Sequence, residues 1–267
     1  MYLNDTPIET YEIDNVTVNV KRDDLFALPP APPLGKLRGL RAILPRLRSE
    51  GRFQIGCFEA HRSQVGVAVA AACANEVGFS CTVVYPQFGR APLRDTVVRA
   101  KSLGARIIPI RGNHVPINHS QAKGIVEADG GWMIPFGFEF DEAIQAVSKE
   151  ARLIPSEFVE GGTVVVPCGS GVTLAGVALG LIGKVNVLVG VSVGRSARAI
   201  GKCLRAEGVK DLTSIEIIEP KQLYGEKAEA SAPFPCDAHY DLKAWSYISK
   251  EIERFKGGPI LFWNVGG

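Results

Sequence analysis

Thr163-Val164-Val165-Val166-Pro167-Cys168-Gly169-Ser170-Gly171-Val172-Thr173-Leu174-Ala175-Gly176 decides how the rest of the chain is read. A short apolar run, Thr163 to Val166, meets a tight Gly/Ser turn. A helix of small residues, Val172 to Leu181, follows it. Strand, turn and helix start in that order aim several backbone N–H groups at one point, at the positive end of a helix dipole. The ligand such a turn suits is an anion, and a phosphate above all. The turn lacks the Gly-Lys-Ser/Thr of a P-loop and the spaced Gly-x-Gly-x-x-Gly of a dinucleotide fold, which argues against the phosphates of ATP and NAD. Turns of this kind also serve packing alone, so the loop by itself leaves phosphate binding and plain turn chemistry both open.

Outward from the loop, strand and helix alternate. On its C-terminal side Val185–Val191 reads as a strand, Ser196–Glu207 as a helix and Ser214–Ile218 as a strand. A loop follows over 220–239, then a helix over Asp241–Phe255 and a last strand over Pro259–Trp263. On its N-terminal side the strands are Phe53–Cys57, Ser80–Tyr85, Ala105–Ile110 and Trp132–Ile134. The helices there are Ser63–Asn75, Ala91–Leu103, Gln121–Ala128 and Phe140–Leu153. Residues 8–20 alternate as a strand. The prolines at 29, 30, 32 and 33 forbid regular structure, and a helix with Leu37, Leu40, Ile43, Leu44 and Leu47 on one face runs from Lys36 to about Ser49. This order predicts an α/β fold with parallel sheets covered on both faces. Two domains are expected: a larger one over 1–50 and 155–267, and a smaller α/β domain over 51–154.

The 267 residues are 46% hydrophobic and 22% charged, as in a globular protein, and the net charge of +2 gives no bulk argument for nucleic acid. Lys36, Arg38, Arg41, Arg46, Arg48 and Arg52 do crowd one segment. The six cysteines are scattered without a Cys-x-x-Cys pair, which suits buried free thiols in a reducing cytoplasm better than disulfides or zinc. The acidic N-terminus does not read as a signal peptide. No apolar run approaches the roughly 20 residues that span a bilayer, and no metal-ligand spacing is present.

Five separated pieces share an order and a spacing: Lys21-Arg22-Asp23-Asp24-Leu25, Gly35-Lys36-Leu37-Arg38, Ser63-Gln64, Gly169 to Gly176, and Ile260-Leu261-Phe262-Trp263-Asn264-Val265-Gly266-Gly267. Together they resemble the fold-type II pyridoxal-phosphate enzymes, tryptophan synthase beta-like. The branch they resemble most is that of 1-aminocyclopropane-1-carboxylate deaminase and D-cysteine desulfhydrase. The resemblance covers nearly the whole chain. It implies pyridoxal 5'-phosphate held between two α/β domains with parallel or mixed sheets, the larger domain binding the cofactor. Lys36 matches the lysine that condenses with the pyridoxal aldehyde, and must shed its proton to do so. Gly169, Ser170, Gly171, Val172 and Thr173 would hold the phosphate. Ser63, at a helix start, would bind the substrate carboxylate, while its plain alternative is an N-cap. Gln64 replaces an asparagine beside the pyridoxal hydroxyl, and Asn264 stands in the last cofactor motif. Tyr240 and Tyr224 match tyrosines near the substrate, where a phenol can donate, accept or stack. His61 and His239 are further candidate proton carriers.

Three positions next to the expected cofactor depart from the family pattern, and the stretch between Tyr224 and Tyr240, on the substrate side, is shorter than in the family. Gly-Asn-Lys has become Leu34-Gly35-Lys36, the second glycine of the loop is Val172, and the threonine facing the pyridine nitrogen is Val265, which cannot hydrogen-bond it. The expected function is lyase or deaminase chemistry at the α-carbon of an amino acid. One alternative is decarboxylation of an amino-acid-modified nucleobase, because Pro32-Pro33-Leu34-Gly35-Lys36-Leu37-Arg38-Gly39 resembles short phage-encoded versions, where hypermodified DNA bases are a theme. Another is a catalytically silent binding module of the same fold. The expected partners are a small amino acid substrate, or a modified nucleoside or DNA, and a second copy of the chain in a homodimer. No membrane association is expected.

Overall fold

A computed structural model describes residues 6–29, 32–61, 63–221 and 225–266. In chain order the elements are β1 (Ile8–Ile13), β2 (Val16–Arg22), α1 (Lys36–Ser49), β3 (Gln54–Phe58), α2 (Val65–Ala74), β4 (Ser80–Gln87), α3 (Asp95–Ser102), β5 (Arg106–Arg111), α4 (Val115–Ala128) and β6 (Trp132–Met133). There follow α5 (Asp141–Arg152), β7 (Thr163–Cys168), α6 (Val172–Leu181), β8 (Val187–Ser192), α7 (Ala197–Ala206), β9 (Ile215–Ile218), α8 (Asp241–Lys250) and β10 (Ile260–Asn264). The chain forms two compact units. One joins the N-terminal stretch through Phe26 to everything from Glu139 onward, and the other is Ala27–Phe138.

In the larger unit a six-stranded sheet runs β1-β2-β10-β7-β8-β9. Its edge is a hairpin, β1 antiparallel to β2, and the remaining neighbours are parallel. The hairpin turns on Asp14 and Asn15, both at positive φ (48° and 62°). Such a two-residue loop follows the twist of the flanking strands, and it divides what the alternation alone read as a single strand. Every residue of β7 is buried, as a strand covered on both faces requires. Helix α5 lies against α6 at backbone distance. A Cβ on Gly176 would sit 2.6 Å from the Val147 Cβ, and one on Gly180 would sit 2.5 Å from the Ala151 Cβ. On the other side of the sheet Trp245 of α8, Phe234 and Phe262 form an aromatic cluster with ring centroids 4.8–6.0 Å apart. Deep in the same unit Lys21 pairs with Glu150, which also accepts from the Thr6 hydroxyl at 3.2 Å.

The smaller unit is a parallel four-stranded sheet in the order β5-β4-β3-β6. Helix α2 is apolar almost all round and is buried from Gly66 to Cys73. Helix α4 begins at Val115, six residues ahead of its expected start at Gln121, because Pro116 falls in the first turn, where a missing N–H costs nothing. The sequence boundaries at 50 and 155 each move across one helix, to 26/27 and 138/139. Helix α1 packs on α2 and so joins the smaller unit, and α5 packs on α6 and joins the larger one. Lys36, at the first position of α1, therefore belongs to the smaller unit.

Candidate active site

In the larger unit the candidate residues gather at the carboxyl end of the parallel sheet, where open α/β sheets place their ligands. The buried strand β7 ends in Cys168, and the chain turns through Gly169, Ser170 and Gly171 into α6. Gly171 is the N-cap with φ 105°, a left-handed conformation that favours glycine. Among the described residues no side chain caps this helix, so the first-turn amides of Val172, Thr173 and Leu174 stand at its positive end, the Val172 amide 3.4 Å from the Ser170 hydroxyl. The loop is tightly supported. Cys203 and Ile200 of α7 lie 3.3 and 3.4 Å from where a Gly171 Cβ would be, and Gly194 backs directly onto Gly169. The Tyr240 hydroxyl lies 2.7 Å from where a Gly169 Cβ would be, so this tyrosine touches the loop. Burial raises the Cys168 thiol, and raises Cys203 to about 11, so both stay protonated and act as packing.

Strand β10, the parallel neighbour of β7, ends in Asn264. Its side chain is fully buried. The Nδ2 donates to the Pro235 carbonyl at 3.0 Å, and the Oδ1 has no hydrogen-bond partner among the described residues. The Val265 amide donates to Asp241 Oδ1 at 3.0 Å, which fixes the end of the strand. One rim of the sheet thus carries open helix amides that want an anion and a buried amide oxygen that wants a donor. A phosphorylated pyridinium offers both, and these residues fit it.

The smaller unit carries Lys36, Ser63 and Gln64. Lys36 is half-buried at the start of α1. Gln64 is the N-cap of α2, and the Ser63 hydroxyl accepts from the Val65 amide at 3.1 Å, so Ser63 makes the capping bond. The next amide, of Gly66, is taken at 2.6 Å by the Oε2 of Glu59, a residue with no solvent exposure at the end of β3. Arg94 braces this corner by donating to the carbonyls of Glu59 and Ala60 at 2.9 and 2.8 Å. Burial pushes the Glu59 carboxyl up to about 7, and the Gly66 amide, the Thr96 hydroxyl, Arg94 and Lys36 pull it partly back. Its Oε1 has no hydrogen-bond partner among the described residues. The positive end of α2, expected to receive a substrate carboxylate through Ser63, thus holds a carboxyl of the chain itself. The sequence reading passed over Glu59, since an acid following the apolar run Ile55–Phe58 carries no spacing signal. His61 is exposed and His239 half-buried. Tyr224 lies outside the described residues. Among the described residues no cluster of His, Cys, Asp and Glu could hold a metal ion.

Residues 35–238 match the family model described as pyridoxal-phosphate dependent enzyme. The chain belongs to this family. A curated relative, the glycyl-dTMP PLP-dependent decarboxylase of Pseudomonas phage M6, is 32% identical over 281 aligned positions that cover 100% of both chains. Among solved structures, an ACC deaminase homologue superposes with TM-score 0.80 at 24% identity, over 98% of this chain and 89% of its own. The processed form of threonine deaminase isoform 2 from Solanum lycopersicum does so with TM-score 0.70 at 17% identity, over 98% and 78%. The fold is that of the fold-type II, tryptophan synthase beta-like enzymes, and the cofactor is pyridoxal 5'-phosphate.

Proposed function

We propose that this enzyme removes the α-carboxylate of an amino acid attached to a thymine base, so that the nucleobase alternative is preferred to deamination or desulfhydration. The relative matched over its full length is named for such a decarboxylation. The observation in this chain that carries the reading is Glu59. A carboxylate that must stay on its substrate gains from a helix N-terminus, whereas one that must leave as CO2 is better left unheld. Here the first two amides of α2 are already taken by Ser63 and Glu59.

Bound pyridoxal phosphate supplies an electron sink for the pair left at Cα when CO2 departs. The chain's own residues do the rest. The amides of Val172 and Thr173, with Gly169, Ser170 and Gly171 shaping their loop, would hold the phosphate. Asn264 Oδ1, which has no partner among the described residues, would accept from the cofactor's ring nitrogen, a role Val265 cannot fill. Lys36 Nζ would hold the cofactor through its aldehyde and would supply the proton that replaces the carboxylate at Cα. Tyr240, which touches the Gly169 loop, would meet the substrate, and Gln64 would stand near the ring hydroxyl. In this reading the protein works as a cytoplasmic homodimer. Among the described residues no helix is long and apolar enough to cross a membrane.

The experiment is to incubate the loaded enzyme with a glycyl-modified thymidine nucleotide and weigh the product. Loss of one CO2 with the amine retained supports the proposal, and release of ammonia with a keto acid contradicts it.

A further inference from the structure

The net charge of +2 conceals an imbalance. Residues 27–138, the smaller unit, carry 14 Lys and Arg against 6 Asp and Glu, a net of +8, and the rest of the chain carries 16 against 22, a net of −6. Several cations of the smaller unit are neutralised within it, as in Arg46–Glu50, Arg48–Glu76, Arg106–Asp129 and Lys123–Glu127. Arg90, Arg99, Lys101 and Arg111 are exposed and have no ion pair among the described residues. They are spread along the β4–β5 part of the unit, Arg90 and Arg111 at the carboxyl ends of the two strands and Arg99 and Lys101 in the last turns of α3, close to the amino end of β5. Arg90 lies in the loop leaving β4, Arg99 and Lys101 are on α3, which packs on β4 and β5, and Arg111 ends the edge strand β5. Cross-strand pairing sets Arg111 opposite Gln87, and the Gly112 amide donates to the Gln87 carbonyl at 3.2 Å. This brings Arg111 beside Phe88, an aromatic residue left 62% exposed. The ring of Phe88 leans on the Gly112 backbone, where an added Cβ would lie 2.2 Å from a ring carbon. It is a supported, open aromatic surface among unpaired cations.

We propose that this edge of the smaller unit, formed by Arg90, Arg99, Lys101, Arg111 and Phe88, binds the DNA strand that carries the modified base. It rests on the function proposed above for the identity of the base only. Unpaired cations distributed over a helix and two strand ends match a phosphodiester chain better than the single phosphate of a free nucleotide, which would call for convergent groups. Phosphate neutralisation supplies sequence-independent affinity. An exposed ring on a rigid backbone is the stacking platform that single-stranded or unstacked bases use. A base that must reach a catalytic lysine has to leave the stack, and such a platform favours the opened strand over the closed duplex.

The test uses the pyridoxal-loaded enzyme and fluorescently labelled, unmodified DNA, single-stranded and duplex, followed by anisotropy over a salt series. The wild type is expected to bind, the single strand more tightly, with affinity falling steeply as salt rises. Arg90→Glu with Arg111→Glu should weaken binding at least about tenfold and reduce the log–log salt slope by about 1.5. Phe88→Ala should weaken the single-strand complex more than the duplex complex. Lys210→Glu with Lys250→Glu, exposed cations of the other unit, should change neither by more than about twofold. Absence of binding by the wild type, an unchanged slope in the first pair, or equal losses in both pairs would overturn the proposal. Turnover of a free glycyl-modified nucleotide is measured alongside. If the first pair keeps that turnover while its KM for modified DNA rises, the surface is supported. If no variant or wild type releases CO2 from either substrate, the decarboxylase reading fails independently of the binding result.

Discussion

Glu59 is the residue on which the chemistry of the smaller unit turns. It is fully buried, holds the Gly66 amide, and is raised to about 7 chiefly by loss of solvent. The linkage has a definite sign. The folded value lies above the ordinary 4.5, so the stability this group contributes is whole below about pH 4.5 and is lost as pH rises through 7. A shift of this size is worth about 3 kcal/mol. Glu59→Gln, which can still accept from the Gly66 amide, should therefore melt several degrees above the wild type at pH 8 and nearly with it at pH 4.5, as read by calorimetry. A gap that does not change with pH would contradict the assignment. Lys36 gives a second prediction: Lys36→Ala should abolish the absorbance near the visible edge of the loaded protein, and borohydride should no longer fix the cofactor to the chain. The loop glycines were legible in the sequence because their requirement is a backbone one. A turn that starts a helix from φ 105° selects glycine whatever surrounds it. Glu59 was illegible because its role depends on α2 and Arg94 closing over it, and neither is its neighbour in sequence.

At the scale of elements, the contact between α5 and α6 is fixed by two glycines one turn apart, Gly176 and Gly180, against Val147 and Ala151. Gly180→Val would drive a side chain into the Ala151 Cβ and the Ser148 carbonyl, at 2.5 and 2.6 Å from the first added carbon. We expect a loss of at least about 1–3 kcal/mol in chemical denaturation. Because α6 carries the proposed phosphate-holding turn at its other end, cofactor affinity should weaken with it. Most elements could be read from the periodicity, since apolar runs bounded by glycine and proline are local signals. The hairpin turn at Asp14-Asn15, the early start of α4 and the division of Asp241–Phe255 into α8 and a short 3-10 turn over Ile252–Phe255 could not. Each depends on a turn or a first-turn proline, where a propensity window averages over the decisive residue.

For the whole molecule, the sequence showed two α/β units but not which helix joins which. Helix α1 and helix α5 each follow a boundary that composition does not mark, and only packing assigns them. That assignment gives the smaller unit Lys36, Glu59 and a charge of +8, and gives the larger unit the Gly169–Gly171 turn, Tyr240 and Asn264. Asn264→Leu should lower the melting temperature of the unloaded protein only modestly, through loss of the bond to the Pro235 carbonyl, while weakening pyridoxal phosphate binding and shifting the absorbance of the bound form, because it removes an acceptor that has no donor among the described residues. A variant that binds the cofactor with unchanged affinity and spectrum would remove Asn264 from the site. The central claim, that the reaction exchanges a carboxylate for a proton, is tested most directly by running the enzyme in D2O with glycyl-modified thymidine in DNA and analysing the product by mass spectrometry. The account predicts that the carboxylate is lost and a single solvent deuterium takes its place on that carbon, with the amine kept. A product that retains the carboxylate and has lost its amine would contradict it.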